Sequence, residues 1–186
     1  MPLTLVIGSK RFSSWSLRPW LALKAAGLPF DEVEIPLRQP DTKTRLRAVS
    51  PSGKVPLLCD GDLVVWDSLA ICEHVAERAP AAGLWPDDSA ARAVARAVSA
   101  EMHAGFPVLR QTCPMDLSLD QPLAEIGPDL AAELDRLDAL WSDCRARFGA
   151  GGPFLFGRFT IADAMYAPVV TRVTTYHQPL GAAARD

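Results

Sequence analysis

The chain has 186 residues with 19 Lys+Arg against 22 Asp+Glu, a formal charge of −3 and a pI near 5.6, and 49% of its residues are hydrophobic. That length buries a substantial core in one large or two small domains, and the composition argues against disorder. The weak negative charge, without any Lys/Arg block, argues against holding a nucleic-acid backbone; no stretch approaches a membrane span or resembles a targeting signal. Nucleic-acid and membrane partners are therefore not expected.

In chain order, Leu3 to Ile7 is a short apolar run that predicts a strand, followed by Phe12-Ser13-Ser14-Trp15-Ser16-Leu17-Arg18 opening a helical pattern that closes at Gly27. Backbone N–H groups in a helix's first turn lack intrahelical partners and carry the positive end of its dipole, so hydroxyls and an anion or thiolate are favoured there. From this segment alone, helix capping by the serines is the simpler reading. Pro19 lacks an N–H and crowds the carbonyl four residues back, which predicts regular helix from Trp15 or Ser16 and leaves Ser13 and Ser14 in the preceding turn. Phe30 to Ile35 mixes apolar and acidic residues like a half-exposed second strand and completes a βαβ unit; Thr42 to Val49 predicts a short helix.

Val55-Pro56-Leu57-Leu58-Cys59 and Leu63-Val64-Val65 flank Asp60-Gly61-Asp62, a hairpin signal that adds an antiparallel pair to the sheet. Asp67-Ser68 precedes a helix carrying Leu69, Cys72, Val75 and Ala76, closed by Ala79-Pro80. Strand and helix patterns alternate up to residue 78, residues 79–88 form an Ala/Pro/Gly-rich linker, and residues 89–186 predict helix and loop.

Val94, Val98, Met102, Phe106 and Leu109 share a helix face that Pro107 interrupts, and Leu130, Leu134, Leu137, Trp141, Cys144 and Phe148 make one apolar stripe on a helix opened by Pro128 and stopped by Gly149, read as core packing. Thr160-Ile161-Ala162-Asp163 resembles a capping box with Asp in place of Glu, with Phe159 placed to staple against Ala164 or beyond. Thr174 to Gly181 reads as a helix end approaching a next helix. Cys59, Cys72, Cys113 and Cys144 are scattered, without a C-x-x-C pair, and are expected as reduced core residues in a cytosolic protein; no metal site is expected. His74, His103 and His177 are expected to be structural, capping or surface residues.

Four landmarks in this order and spacing carry a family resemblance across nearly the whole chain: Ser13 to Arg18, Ser50-Pro51-Ser52-Gly53-Lys54-Val55-Pro56-Leu57-Leu58, Asp67-Ser68-Leu69-Ala70-Ile71, and Phe159-Thr160-Ile161-Ala162-Asp163. Together they resemble the cytosolic glutathione transferases of the serine type, nearest in active-site pattern to zeta-like bacterial members. The resemblance implies an α/β thioredoxin-like N-terminal domain over 1–78, an all-α C-terminal domain over 89–186 that lacks the family's last helices, a two-fold homodimer and a cytoplasmic enzyme. It implies glutathione as co-substrate, with Ser13 steadying the thiolate and Ser14 in reserve. Pro56 is then cis, turning the Val55 N–H and C=O toward the cysteinyl part of glutathione. Ser68 suits the γ-glutamyl carboxylate, Asp67 the ammonium, and Lys54 the glycyl carboxylate, with Arg38 and Lys43 as weaker candidates.

The zeta-type isomerases carry Ser-Ser-Cys where this chain has Ser13-Ser14-Trp15. Trp15, Phe12 and Phe106 are candidates to flank an apolar electrophile. The expected activity is addition of glutathione to a small apolar electrophile. The alternatives are a non-catalytic glutathione-binding or protein-interaction module, and a glutathione-dependent isomerase or peroxidase.

Overall fold

The computed structural model describes residues 2–181; the end of the predicted helical segment, residues 182–186, lies outside them. Contacts divide the chain into two compact units, residues 1–84 and 85–186. Residues 79–88, read above as linker, hold one turn of 3-10 helix, Pro80–Ala82, and the buried Leu84 and Trp85.

The first unit runs β1 (Leu3–Gly8), α1 (Ser14–Ala25), β2 (Phe30–Ile35), α2 (Thr42–Val49), β3 (Leu57–Asp60), β4 (Leu63–Trp66) and α3 (Ser68–Arg78). Its sheet has the order β2-β1-β3-β4, with β1 parallel to β2 and both β1–β3 and β3–β4 antiparallel. This is a mixed four-stranded thioredoxin-like sheet. The apolar run supplies Leu5 and Ile7, and Leu57 and Leu58 of β3 join them in the interior; α1 and α3 pack together, with Leu23 of the first and Ile71 and Val75 of the second fully buried.

Three expectations are corrected. Helix α1 begins at Ser14, because the carbonyl of Ser13 already accepts from the N–H of Leu17 at 3.2 Å, upstream of any bond that Pro19 removes. Asp60 belongs to β3, paired with Leu63, which shortens the hairpin turn to Gly61-Asp62; Gly61 takes φ 61°, a left-handed conformation that glycine adopts without a Cβ clash. Strand β2, at the sheet edge, buries only Ile35, and Val33, two residues earlier on the same strand face, is 47% exposed.

In the second unit α4 (Ser89–Ala104), α5 (Pro107–Thr112), α6 (Pro128–Phe148) and α7 (Ile161–Thr175) are all helices, with α4 against α7 and α5 against α6. The predicted stripe on α6 buries Leu130, Leu134, Leu137, Trp141 and Cys144 and is widened by Leu140. Phe148 ends the stripe by stacking on Phe156 at 5.6 Å. Thr160 and Asp163 close a capping box at the start of α7, while Phe159 packs edge-on against Phe154 at 5.5 Å. No helix among the described residues is long and apolar enough to cross a membrane.

Candidate functional site

Strand register decides which loops meet. In the β1–β3 ladder Val6 faces Leu57, so Gly8 at the end of β1 and Val55-Pro56 before β3 lie at one end of the sheet. In the β3–β4 ladder Leu57 faces Trp66, which places Asp67-Ser68 at that same end. Gly8 also pairs with Ile35, bringing the loop after β2 there. A Cβ on Gly8 would meet the Leu37 side chain at 2.8 Å, so glycine lets that loop close directly onto the strand end. The starts of α1 and α3 and the turn before β3 thus converge, the common location of ligand sites in open α/β sheets.

At the start of α1, Ser13 is the N-cap, with φ −85° and ψ 84°, and its Oγ accepts from the N–H of Ser16 at 3.3 Å. The Ser13 and Ser16 hydroxyls lie 2.7 Å apart, and Ser16 Oγ accepts from the N–H of Gly8 at 3.1 Å. All three serines of the run are buried, with Ser13 5%, Ser14 6% and Ser16 4% exposed. Ser14 is the first helical residue, its N–H bonded to the Phe12 carbonyl at 3.1 Å. One turn on, the fully buried Arg18 guanidinium lies over the Trp15 ring at 4.4 Å.

The Val55–Pro56 peptide is cis, and Val55 lies just beyond the paired residues of β3. The preceding turn is held by the Ser50 hydroxyl, which accepts from the N–H of Lys54 at 3.4 Å. The Lys54 side chain is exposed, as is that of Lys43. Arg38 has φ 63° and its guanidinium stacks on Phe12 at 4.1 Å, which sets this cation beside the residue preceding Ser13.

At the start of α3, Asp67 caps the helix by accepting from the N–H of Leu69 at 3.0 Å. Its φ of 78° is rare for a non-glycine residue and is the kind of strain that collects at functional sites. Ser68 follows, only 1% exposed, and its Oγ has no hydrogen-bond partner among the described residues. A buried hydroxyl without a partner costs about 1–3 kcal/mol, so a ligand acceptor at this helix start would offset a real penalty.

All four cysteines are free. Burial pushes the Cys72 thiol up to about 12 against the opposing charge of Arg18, and pushes Cys144 up to about 11. Cys113 is likewise raised by burial. These three thiols stay protonated at neutral pH and are poor nucleophiles. Among the histidines, His74 bonds Asp60 at 2.9 Å and His177 pairs with Asp120. Phe106, offered above as a flank for the electrophile, is buried and caps α5. Among the described residues no group of three or more His, Cys, Asp or Glu is arranged to hold a metal ion.

The structure therefore brings Ser13, Ser14, Val55, Pro56, Asp67 and Ser68 to one end of the first unit's sheet. Two participants were not singled out as site residues from sequence. Ser16 was visible only through its spacing, three residues after Ser13 at a helix start. Arg18 served as a landmark, and nothing in its charge suggested full burial.

Two family models match the chain: the glutathione S-transferase N-terminal domain over residues 12–78 and the glutathione S-transferase C-terminal domain over residues 124–185. A Caenorhabditis elegans protein named "Probable maleylacetoacetate isomerase" is 28% identical over 172 residues, covering 90% of this chain and 77% of the relative. Glutathione S-transferase Z1 of Arabidopsis thaliana is 27% identical over 165 residues, covering 85% and 72%. Among solved structures, a glutathione transferase homolog from Burkholderia gl BGR1 with bound glutathione superposes with a TM-score of 0.72 at 21% identity, over 100% of this chain and 88% of that one. With both models matched in order on this two-unit fold, the chain belongs to the glutathione S-transferase family of glutathione-dependent enzymes.

Proposed function

We propose that the first unit binds glutathione, lowers the pKa of its thiol through Ser13 and adds the thiolate to a small apolar electrophile. The observation that carries this reading is the convergence of the α1 start, the cis Val55–Pro56 turn and the unpartnered Ser68 hydroxyl at one sheet end. Val55 offers its backbone to the cysteinyl part. Ser68 and the α3 start take the γ-glutamyl carboxylate, Asp67 takes the ammonium, and Lys54 takes the glycyl carboxylate, with Arg38 and Lys43 as alternatives.

A free thiol titrates near ~8.5, so only a few per cent is nucleophilic at neutral pH. A hydroxyl hydrogen bond from Ser13 and the positive end of α1 both favour the anion, by roughly one to three pKa units together. The thiol proton leaves to solvent, and the sulfur lone pair forms the carbon–sulfur bond as a leaving group departs or an electron-poor double bond accepts the electrons. Ser14 is the reserve donor. We also propose that the enzyme works in the cytoplasm as a homodimer, detoxifying such electrophiles.

The test is an ultraviolet titration of bound glutathione in the wild type and in Ser13→Ala. A depressed thiol pKa that returns towards ~8.5 in the variant supports the mechanism. A normal wild-type pKa with intact binding overturns it. The name of the Caenorhabditis elegans relative favours a second reading, a glutathione-dependent isomerisation. The two reactions differ in their balance: transfer consumes glutathione one for one with product, whereas isomerisation returns it, and NMR of the free glutathione pool separates them.

A further inference from the structure

The hydroxyl at Ser13 must do two things if it is to serve a thiolate: stay put, and present its hydrogen outward. A serine hydroxyl has one hydrogen to donate and two acceptor positions. At Ser13 one acceptor position is taken by the Ser16 N–H at 3.3 Å, the ordinary capping bond. The second contact is the hydroxyl of Ser16 at 2.7 Å, where either oxygen can be the donor. The Gly8 N–H, at the end of β1, donates to Ser16 Oγ at 3.1 Å, so each of the two oxygens accepts one backbone N–H and either hydrogen can lie between them. A thiolate that takes the Ser13 hydrogen selects one arrangement, the one in which Ser16 gives its own hydrogen to Ser13. Both acceptor positions of Ser13 are then filled, and its hydrogen has to leave the pair.

We propose that Ser16 is a positioning residue for the reaction: it relays polarisation from the Gly8 N–H to Ser13 and commits the Ser13 hydroxyl hydrogen to the glutathione sulfur. With a thiolate accepting from Ser13, the chain N–H(Gly8)→Oγ–H(Ser16)→Oγ–H(Ser13)→S runs one way, and each bond polarises the next in a buried setting where both serines are at most 5% exposed. The spacing of three is what makes it work, because on a helix start it faces residue i+3 back onto the N-cap. The inference rests on the reading of Ser13 as the thiolate's donor.

The closing experiment separates the two claims by titrating glutathione bound to the wild type, Ser13→Ala, Ser16→Ala and the double variant, each with its unliganded titration subtracted. Losing one neutral hydrogen bond to the donor corresponds to a rise of about 0.5–1 unit in the thiol pKa in Ser16→Ala, with glutathione affinity within about twofold of wild type. In the Ser13→Ala background the second change is expected to add nothing. Ser16→Cys, nearly the same size with a weaker donor, is expected to fall between, and it carries the test if the alanine variant does not fold. An unchanged pKa in both Ser16 variants, with Ser13→Ala still raising it, overturns the relay and leaves Ser13 standing. A Ser16 effect that persists without Ser13 also overturns it, since the residue would then act on the helix start itself. An unchanged pKa in Ser13→Ala overturns both.

Discussion

Replacing Ser68 by alanine separates a binding hydroxyl from a structural one, because the two predict opposite signs in the ligand-free protein. Ser68 is 1% exposed and its Oγ has no partner among the described residues, so the unliganded fold carries a buried, unsatisfied hydroxyl at a cost of about 1–3 kcal/mol. Removing the oxygen opens roughly 10 Å3 at about 24 cal/mol per Å3, a loss of about 0.2 kcal/mol. The cap itself survives, since the N–H of Leu69 is held by Asp67 and not by Ser68. The net expectation is a gain of about 1 kcal/mol, a rise of about 2–4 °C in the Tm of a chain this size. Glutathione should bind more weakly, because a hydrogen bond to a carboxylate is worth about 1.5–3 kcal/mol, or roughly 10- to 150-fold in Kd. Calorimetric melting without ligand and isothermal titration with glutathione read the two effects independently. A ligand-free Tm that falls, together with an unchanged Kd, would refute the reasoning and make Ser68 a structural residue.

Two further predictions concern what stabilises each unit internally. Asp163 accepts from the N–H groups of Leu155 at 3.0 Å and Thr160 at 2.7 Å and from the Thr160 hydroxyl at 2.8 Å, so Asp163→Ala strands three donors and is expected to cost about 3 kcal/mol in urea unfolding, with Asp163→Asn costing less; a loss under about 1 kcal/mol counts against the capping box as an anchor of α7. Burial pushes the Asp163 carboxyl up, against these donors. Asp60 is held below the usual carboxylate range chiefly by its bond to His74, which outweighs the opposing effect of burial, with the Arg78 charge adding to the lowering. A depressed folded value means that its stabilisation is present above the unfolded value of about 3.9 and is lost as pH falls through the lower folded value, so Asp60→Asn should flatten the acid side of the Tm–pH curve. Parallel curves for variant and wild type would show that the pair does not contribute.

What the sequence made legible was local. The apolar run of β1, the Val55-Pro56 turn, the stripe on α6 and the Thr160–Asp163 box each announce themselves through periodicity or capping chemistry within a few residues. What it hid was non-local or conformational. The exposure of Val33, two residues from the buried Ile35 on the same strand face, depends on packing from distant segments, and strand order depends on pairing across them. The assignment of Asp60 to β3 follows from its pairing with Leu63, which a turn signal spanning Asp60-Gly61-Asp62 does not specify. The left-handed φ of Asp67 is invisible in a residue that caps helices from ordinary dihedrals as well. For the site, the individual serines were readable, but the contact between Ser13 and Ser16 needed the helix start fixed to the residue, and Pro19 argued for a later start than the one observed.

The choice of hydroxyls over thiols at Ser13 and Ser16 follows from the chemistry the protein must avoid as much as from the chemistry it performs. Two cysteines at this spacing would form a dithiol able to exchange with disulfides, including oxidised glutathione, and the pair would then change state with the redox poise. Two serines keep the spacing, cannot be oxidised to a disulfide, and turn the i, i+3 contact into a hydrogen bond between hydroxyls. The chain's buried cysteines are kept out of such exchange: Cys72, pushed up to about 12, and Cys144, pushed up to about 11, are held protonated by burial. With Cys72, Cys113 and Cys144 held protonated by burial and hydroxyls in place of thiols at the α1 start, the proposed mechanism draws its reactive sulfur from the ligand. On the proposed mechanism the rate is expected to rise with pH through the titration of bound glutathione and not of a protein cysteine, and a pH–rate profile that fails to follow the thiolate titration of the bound ligand counts against it.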